Sequence, residues 1–345
     1  MIRRSVLSLS NANIGKIALL DLITPEMQRV VNLYIGILWD QQDFHSKFVT
    51  IKVDTWLSAR IQQCLGKQAL EIVKSQRKKK KKTKPLFNGT AFNLDSRFVD
   101  IKCDCNNSFD IWIRFSSLGD KLSAWFPAKA HKHFNKFKDW TKSKSIRLIK
   151  KGGAWFVEIF FEKITPKIKK IGKVIGVDLG YKKLLITSEN QKLDKGLEAV
   201  YEKISRKKQG SFAFKKTLIE RDNLINQSLN EFNLSDVKEL VCEDLRNVKK
   251  NTKGKLRKQF VNKLQRWSYT QCLSKLGRMA EEAGTLFTKV NPAYTSQKCS
   301  VCGIIRKLNR KGEIYKCVCG NIMDADFNAS INISLMGVYS PHASY

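Results

Sequence analysis

Three acids and four thiols stand out in a chain otherwise rich in bases. Asp178 closes the apolar run Val174-Ile-Gly-Val-Asp178, where a carboxylate is costly unless a cation or a hydrogen bond meets it. Glu243 ends a second such run, Val237-Lys-Glu-Leu-Val-Cys-Glu243, with Asp244 beside it. Asp324 and Asp326 open Met323-Asp-Ala-Asp-Phe-Asn-Ala-Ser-Ile-Asn-Ile333, which reads as a helix. Acids at a helix start also serve as caps, so each acid taken singly has a structural reading. Taken together, three carboxylates on two strands and a helix suit two Mg²⁺ ions about 4 Å apart, the arrangement that drives in-line displacement at phosphorus and stabilises the leaving 3′ oxygen.

The thiols are Cys299-x₂-Cys302 and, after fourteen residues, Cys317-x-Cys319, with Gly303 and Gly320 following the two pairs. Thiolates at these spacings can close one tetrahedral Zn²⁺ site between two short hairpins, and four sulfurs leave no position for water, so the site is structural. An oxidised or metal-free pairing is the alternative. The second pair is one residue tighter than the usual spacer. The remaining cysteines, Cys64, Cys103, Cys105, Cys242 and Cys272, are scattered among apolar residues and read as buried or incidental thiols of a reducing compartment.

The composition says what surrounds this chemistry. Sixty-four Lys and Arg against 31 Asp and Glu give a formal charge of +33, which calls for a polyanion. Nucleic acid fits, since each phosphate neutralised releases condensed counterions. With 42% apolar and 10% aromatic residues the chain can build cores, which excludes wholesale disorder. No apolar run approaches the roughly 18–20 residues of a membrane span. The start, Met1-Ile-Arg-Arg, lacks the sustained apolar stretch of a signal peptide. The expectation is a cytoplasmic, nucleic-acid-binding protein with no membrane partner.

The elements that must position these groups follow from periodicity. Arg3 to Ser10 alternates as a strand, and from Ile17 to Ser75 apolar residues recur at helical spacing, as in Met27, Val30, Val31, Tyr34 and Leu38. The run beginning Arg77, Lys78, Lys79 and Lys80 cannot pack; it reads as a solvated linker, an arm on a phosphate backbone or a localisation signal. Alternating strands return at Phe109–Phe115 and Trp155–Phe161, the latter after a Lys150-Lys-Gly-Gly153 turn. The economical reading is a small β-barrel split by a helical insert. Lys142, Lys144, Arg147, Lys150 and Lys151 make one strand face basic, which suits a nucleic-acid backbone and equally a merely solvated surface. Past Thr165-Pro166 come the Asp178 strand, a short second strand, basic helical residues from Leu193 to Phe232, and the Glu243 strand. One long amphipathic helix is expected over Phe260–Ala283, followed by a strand over Thr285–Val290.

At this point the residues resemble a family. Ile175-Gly-Val-Asp-Leu-Gly180, Val241-Cys-Glu-Asp-Leu245, Val290-Asn-Pro-Ala-Tyr-Thr-Ser-Gln-Lys-Cys-Ser-Val-Cys-Gly303 and Asp324-Ala-Asp-Phe-Asn-Ala-Ser-Ile-Asn-Ile333 look like successive signatures of TnpB. TnpB proteins are transposon-encoded RNA-guided DNA nucleases, ancestral to type V CRISPR effectors. The resemblance covers Ile171 to Leu335 by motif, and the N-terminal half by layout and size. It implies an α+β multidomain chain. Residues 1–16 and 86–168 would form a wedge-like β-barrel, 17–85 a helical recognition insert with its basic linker, 169–294 and 322–336 a RuvC-type, RNase H-like nuclease domain, 295–321 a zinc ribbon, and 337–345 a tail with no counterpart. It also implies Asp178, Glu243 and Asp326 as the Mg²⁺ triad, Asp326 being preferred to Asp324 because it directly precedes Phe327-Asn328-Ala329. The partners implied are a guide RNA and double-stranded target DNA beside a short flanking motif, with base pairing supplying specificity. The tight Cys317-x-Cys319 spacing departs from the pattern. Other readings are a guided repressor that does not cut, and an unguided transposase or resolvase of RNase H fold. The guide's sequence and origin, the cut positions and the oligomeric state are not encoded in these motifs.

Overall fold

The computed structural model describes residues 1–41, 49, 51–80, 82–95, 98–103, 108–116, 119, 123–181, 183–245 and 258–339, without the side chains of Lys144, 258–260 and Lys263. Cys105, the Lys144 side chain and tail residues 340–345 therefore lie outside the described residues. The chain forms two compact units, Met1–Ile164 and Thr165–Tyr345.

The first unit begins with β1 (Ile2–Ser8), α1 (Ile14–Asp40) and α2 (Ala59–Arg77). Asn13 and Ser58 cap the two helices, their side chains accepting from the backbone N–H of Lys16 and Ile61. Then follow β2 (Ala91–Asp95), β3 (Val99–Cys103), β4 (Ile111–Ser116), β5 (Ser123–Ala128), α3 (Lys132–Asn135), β6 (Thr141–Lys151) and β7 (Ala154–Glu162). One antiparallel sheet has the order β1-β7-β6-β2, and a second has the order β3-β4-β5. The β6–β7 hairpin turns on Gly152 and Gly153, whose φ of 59° and 83° is the left-handed pair a two-residue turn requires. β1 pairs not with a sequence neighbour but with β7, Ile2 opposite Glu162 through Ser8 opposite Phe156. Both sheets and both long helices share one core, including Leu7, Val31, Leu65, Phe92, Phe115 and Val157.

The second unit contains β8 (Lys173–Asp178), β9 (Leu185–Thr187), β10 (Lys192–Leu193), α4 (Leu197–Ser205), α5 (Phe212–Asn230), β11 (Val237–Glu243), α6 (Lys258–Arg266), α7 (Tyr269–Ala283) and β12 (Leu286–Val290). Three short strands, β13 (Arg310–Lys311), β14 (Ile314–Lys316) and β15 (Ile322–Asp324), precede the last helix, α8 (Ala325–Ser334). The main sheet has the order β10-β9-β8-β11-β12, with β8, β11 and β12 parallel and β9 and β10 antiparallel to their neighbours. Parallel strands covered on both faces carry continuous apolar runs rather than alternation. Leu240, Val241 and Cys242 are accordingly all buried. Among the described residues no helix is long and apolar enough to cross a membrane.

The single helix expected over Phe260–Ala283 is instead two, α6 and α7, broken at Trp267 and Ser268. Two aromatic anchors explain the break. The Trp267 indole donates to Gly180 O at 3.1 Å, while Tyr269 Oη bonds the backbone of Glu243 and Leu245. A straight helix cannot serve both loops, and those loops follow the two strands that carry acids.

Candidate active site

β8 and β11 lie side by side and parallel, with Cys242 opposite Val177, so Asp178 and Glu243 emerge together at the C-terminal ends of neighbouring strands. Those ends are where ligands bind in open sheets with parallel strands. Asp326 arrives from the first turn of α8. That helix lies against β8 at backbone distance. A Cβ added at Gly176 would sit 2.1 Å from Ser330 O and 2.3 Å from Ser334 N, so only glycine permits this approach. On the same face of the sheet, the buried Glu239 carboxylate of β11 accepts from the backbone N–H of Val338 and Tyr339, both at 2.8 Å. This fixes the chain just beyond α8.

The three carboxylates feel one another. The Asp178 pKa is pushed up to about 8, first by burial, then by the charges of Glu243 and Asp326, with Arg310 pulling the other way. Burial also raises Glu243, opposed by a hydrogen bond from Thr295 Oγ1 and by the charge of Arg310. Arg310, from the segment between the cysteine pairs, donates Nη2 to Asp326 Oδ1 at 2.7 Å. Lys183 Nζ lies 3.8 Å from Asp326 Oδ2 and 2.8 Å from Asp324 Oδ2. Asp324 has a different occupation from its neighbour. Its side chain caps α8 by accepting from the N–H of Asp326 and Phe327. Burial works against its ionisation, but the Lys183 hydrogen bond and the cap hold its pKa below the usual carboxylate range. Burial first, and then the charges of Glu243 and Asp326, hold a proton on Asp178 near neutrality. Carboxylate oxygens are the donors hard divalent cations take, but among the described residues only the four cysteines already gather their ligand atoms within 4.8 Å.

The four cysteines form a tighter group. Their sulfurs all lie within 4.8 Å of one another, with Cys299 Sγ 3.7 Å from Cys319 Sγ and Cys302 Sγ 3.5 Å from Cys317 Sγ. A tetrahedron of Zn–S bonds has edges of about 3.8 Å, so the cluster fits a zinc ribbon despite its short second spacer. Burial opposes ionisation of Cys299, yet N–H donors from Cys302, Asn321 and Val301 pull its thiol below the usual range, while Cys302, despite a backbone hydrogen bond from Ile304, is pushed up by burial and the neighbouring thiols.

Two buried amides on α8 tie this ribbon to the acids. Asn328 donates Nδ2 to Lys298 O at 2.8 Å and accepts from Ser300 N at 3.0 Å. Asn332, one turn on, donates to Thr295 O at 2.9 Å and Lys298 O at 2.7 Å. Sequence reasoning overlooked Asn328, Asn332, Thr295, Lys183 and Arg310. The available signal was a pair of amides four residues apart on the helix that starts with Asp326. Nothing local marks Arg310, which acts across the fold.

The basic residues singled out from sequence all fall in the first unit, and several are engaged within it. Arg77 Nη2 donates to Trp39 O at 2.9 Å and to Leu38 O, closing the C-terminus of α1. Arg147 donates to Asn93 at 2.8 Å and lies 3.5 Å from the buried Glu158. Lys150 pairs with Asp21 and lies over the Trp155 ring, Lys79 bonds Gln76, and Lys142 donates to Cys103 Sγ at 3.4 Å. Lys78, Lys80 and Lys151 are exposed.

Comparison with known proteins gives these arrangements a context. Residues 269–333 match the TNB domain of the Cas12f1-like family. A CRISPR-associated endodeoxyribonuclease Cas12f1 of Sulfoacidibacillus thermotolerans is 46% identical over 77 residues, 22% of this chain and 18% of that protein. The TnpB-like protein L79 of Acanthamoeba polyphaga mimivirus is 25% identical over 183 residues, 53% of this chain and 32% of that protein. The matched stretches thus span a third or less of these relatives. In fold, the chain is similar to the protein of a Cas12f1–sgRNA–target DNA complex, with a TM-score of 0.52 over 80% of this chain and 71% of that one, at 16% identity.

Proposed function

We propose that this chain, a relative of TnpB and the type V effectors, is an RNA-guided, Mg²⁺-dependent DNA endonuclease. The observation that carries the proposal is the placement of Asp178 and Glu243 at the ends of the neighbouring parallel strands β8 and β11 with Asp326 on the first turn of α8, where burial and then the charges of the other two acids raise the Asp178 pKa. In this reading the second unit is a RuvC-like, RNase H-like domain with the zinc ribbon inserted. The two sheets of the first unit are the walls of the wedge-like barrel, and α1 and α2 are the recognition insert.

Asp178, Glu243 and Asp326 would hold two Mg²⁺ ions, which when bound supply Lewis-acid stabilisation of the phosphodiester and its leaving 3′ oxygen. The rest is done by the chain. Thr295, donating to Glu243 Oε1, holds that carboxylate in place. Arg310 and Lys183 lie against Asp326, where their charge can shift to a phosphate once cations neutralise the acids. Tyr269 and Trp267 fix the backbone beyond the two strand acids, so the donor atoms are preorganised rather than gathered on binding. The ribbon presents Arg310 and, through Asn328 and Asn332, is registered to the helix bearing Asp326.

The test is Asp178→Ala in the protein purified with its RNA. Cleavage of matching DNA should vanish while RNA binding stays within about twofold. Loss of both together would make Asp178 a structural residue and overturn the assignment.

A further inference from the structure

One face of the β3-β4-β5 sheet carries an arrangement that the cleavage chemistry does not use. Its inner face, with Ile111, Ile113, Phe115 and Phe126, is buried in the core of the first unit. Strand alternation sends Trp112 and Arg114 of β4 to the outer face, together with Lys102 of β3 and Trp125 of β5. The register sets Lys102 opposite Trp112 and Arg114 opposite Trp125. The Lys102 ammonium lies 4.9 Å from the Trp125 ring centroid, and the Arg114 guanidinium lies 5.9 Å from the same ring. Lys16 of α1 lies 5.7 Å from the Trp112 ring. Arg114 also donates Nε to Ser123 Oγ at 3.0 Å. Asp100 shares this face opposite Arg114, yet among the described residues no carboxylate closes an ion pair with Lys16, Lys102 or Arg114.

Cation–ring contacts alone would explain one tryptophan covered by one lysine. They do not explain two half-buried indoles kept on the same antiparallel surface, with Lys102 and Arg114 both exposed beside them. Aromatic rings that accept base faces, interleaved with mobile cations that accept phosphates, are the components of a single-strand binding surface. Sheet faces bearing aromatics are also a recurrent way of reading unpaired RNA. We infer that Trp112 and Trp125 form a stacking platform for unpaired bases of single-stranded RNA, with Lys16, Lys102 and Arg114 taking the adjacent phosphates. The choice of RNA rests on the guided reading above, in which a guide RNA is the chain's partner.

The test uses the full chain and a short fluorescent oligouridine, with affinity measured by anisotropy at several salt concentrations. Trp112→Leu with Trp125→Leu should weaken binding about tenfold or more at every salt concentration, since each lost stack removes a salt-independent contribution. Lys102→Gln with Arg114→Gln should instead flatten the salt dependence, by about 0.7 in log–log slope for each phosphate that is no longer neutralised. Replacing both tryptophans with Phe, which keeps a stacking ring, should retain most of the affinity. A Leu pair within twofold of wild type, or equal losses in the Leu and Phe pairs, would overturn the platform. Oligothymidine bound as tightly as oligouridine, with the same loss in the Leu pair, would overturn the assignment to RNA. None of these readouts involves DNA cleavage. A protein that fails to cut would leave the platform standing, and a failed platform would leave the nuclease reading untouched.

Discussion

Asp178→Asn should stabilise the metal-free protein, and by an amount that grows with pH. The folded chain holds a proton on Asp178 up to about pH 8, against an ordinary value of 3.8. Between those limits the folded state binds the extra proton, so stability falls as pH rises and is lost progressively toward the upper limit. Asparagine imitates the protonated carboxyl and does not titrate. The gap between the two proteins therefore widens by about 1.4 kcal/mol per pH unit, or roughly 3 kcal/mol from pH 5 to pH 7. Asp178 keeps some surface open to solvent, which trims this ceiling, so we expect a widening of about 1–3 kcal/mol. For a unit of this size each kcal/mol moves the melting temperature by about 2–4 °C. Calorimetry of both proteins in chelator at pH 5, 6 and 7 reads the difference directly, because other titrating groups are common to both. A pH-independent difference, or an asparagine variant less stable at pH 7, would refute the claim that burial and the neighbouring acids hold a proton on Asp178.

Gly176→Ala should destabilise the second unit by about 1–3 kcal/mol, since the new Cβ meets α8 backbone that cannot rotate away; thermal melting checks this, and an unchanged melting temperature would mean the helix does not approach so closely. Cys299→Ser should lower bound zinc well below one per chain in elemental analysis, with weaker cleavage as Arg310 loses its mounting. Native protein without zinc would remove the ribbon. Replacing Mg²⁺ with Ca²⁺ should leave target binding intact and stop cutting, checked by gel shift and cleavage side by side, whereas efficient cutting in Ca²⁺ would exclude the two-metal chemistry.

The placement of the acids was legible because a carboxylate at the end of an apolar strand contradicts its surroundings, and such contradictions single out candidates. Asp178 and Glu243 are of this kind, and the cysteine spacing was equally explicit. What the sequence could not supply was the set of groups that act across the fold. Arg310 is sixteen residues from Asp326 in sequence and touches it only because the β13–β15 hairpins fold back to the start of α8. The break at Trp267 escaped the helical pattern because apolar spacing continues through it, and the reason to break lies in the loops after β8 and β11. Arg77 and Arg147 read as free bases in a basic chain, yet one closes a helix end and the other braces a sheet. Charge runs report composition, and only packing decides which members face solvent.

Guidance by RNA is decided by expressing the protein with its native flanking DNA and sequencing the RNA that purifies with it. A guided nuclease should carry one discrete RNA with a constant scaffold and a separable end that directs cleavage of matching DNA. A heterogeneous mixture of cellular RNA, released by moderate salt, would contradict the guided reading.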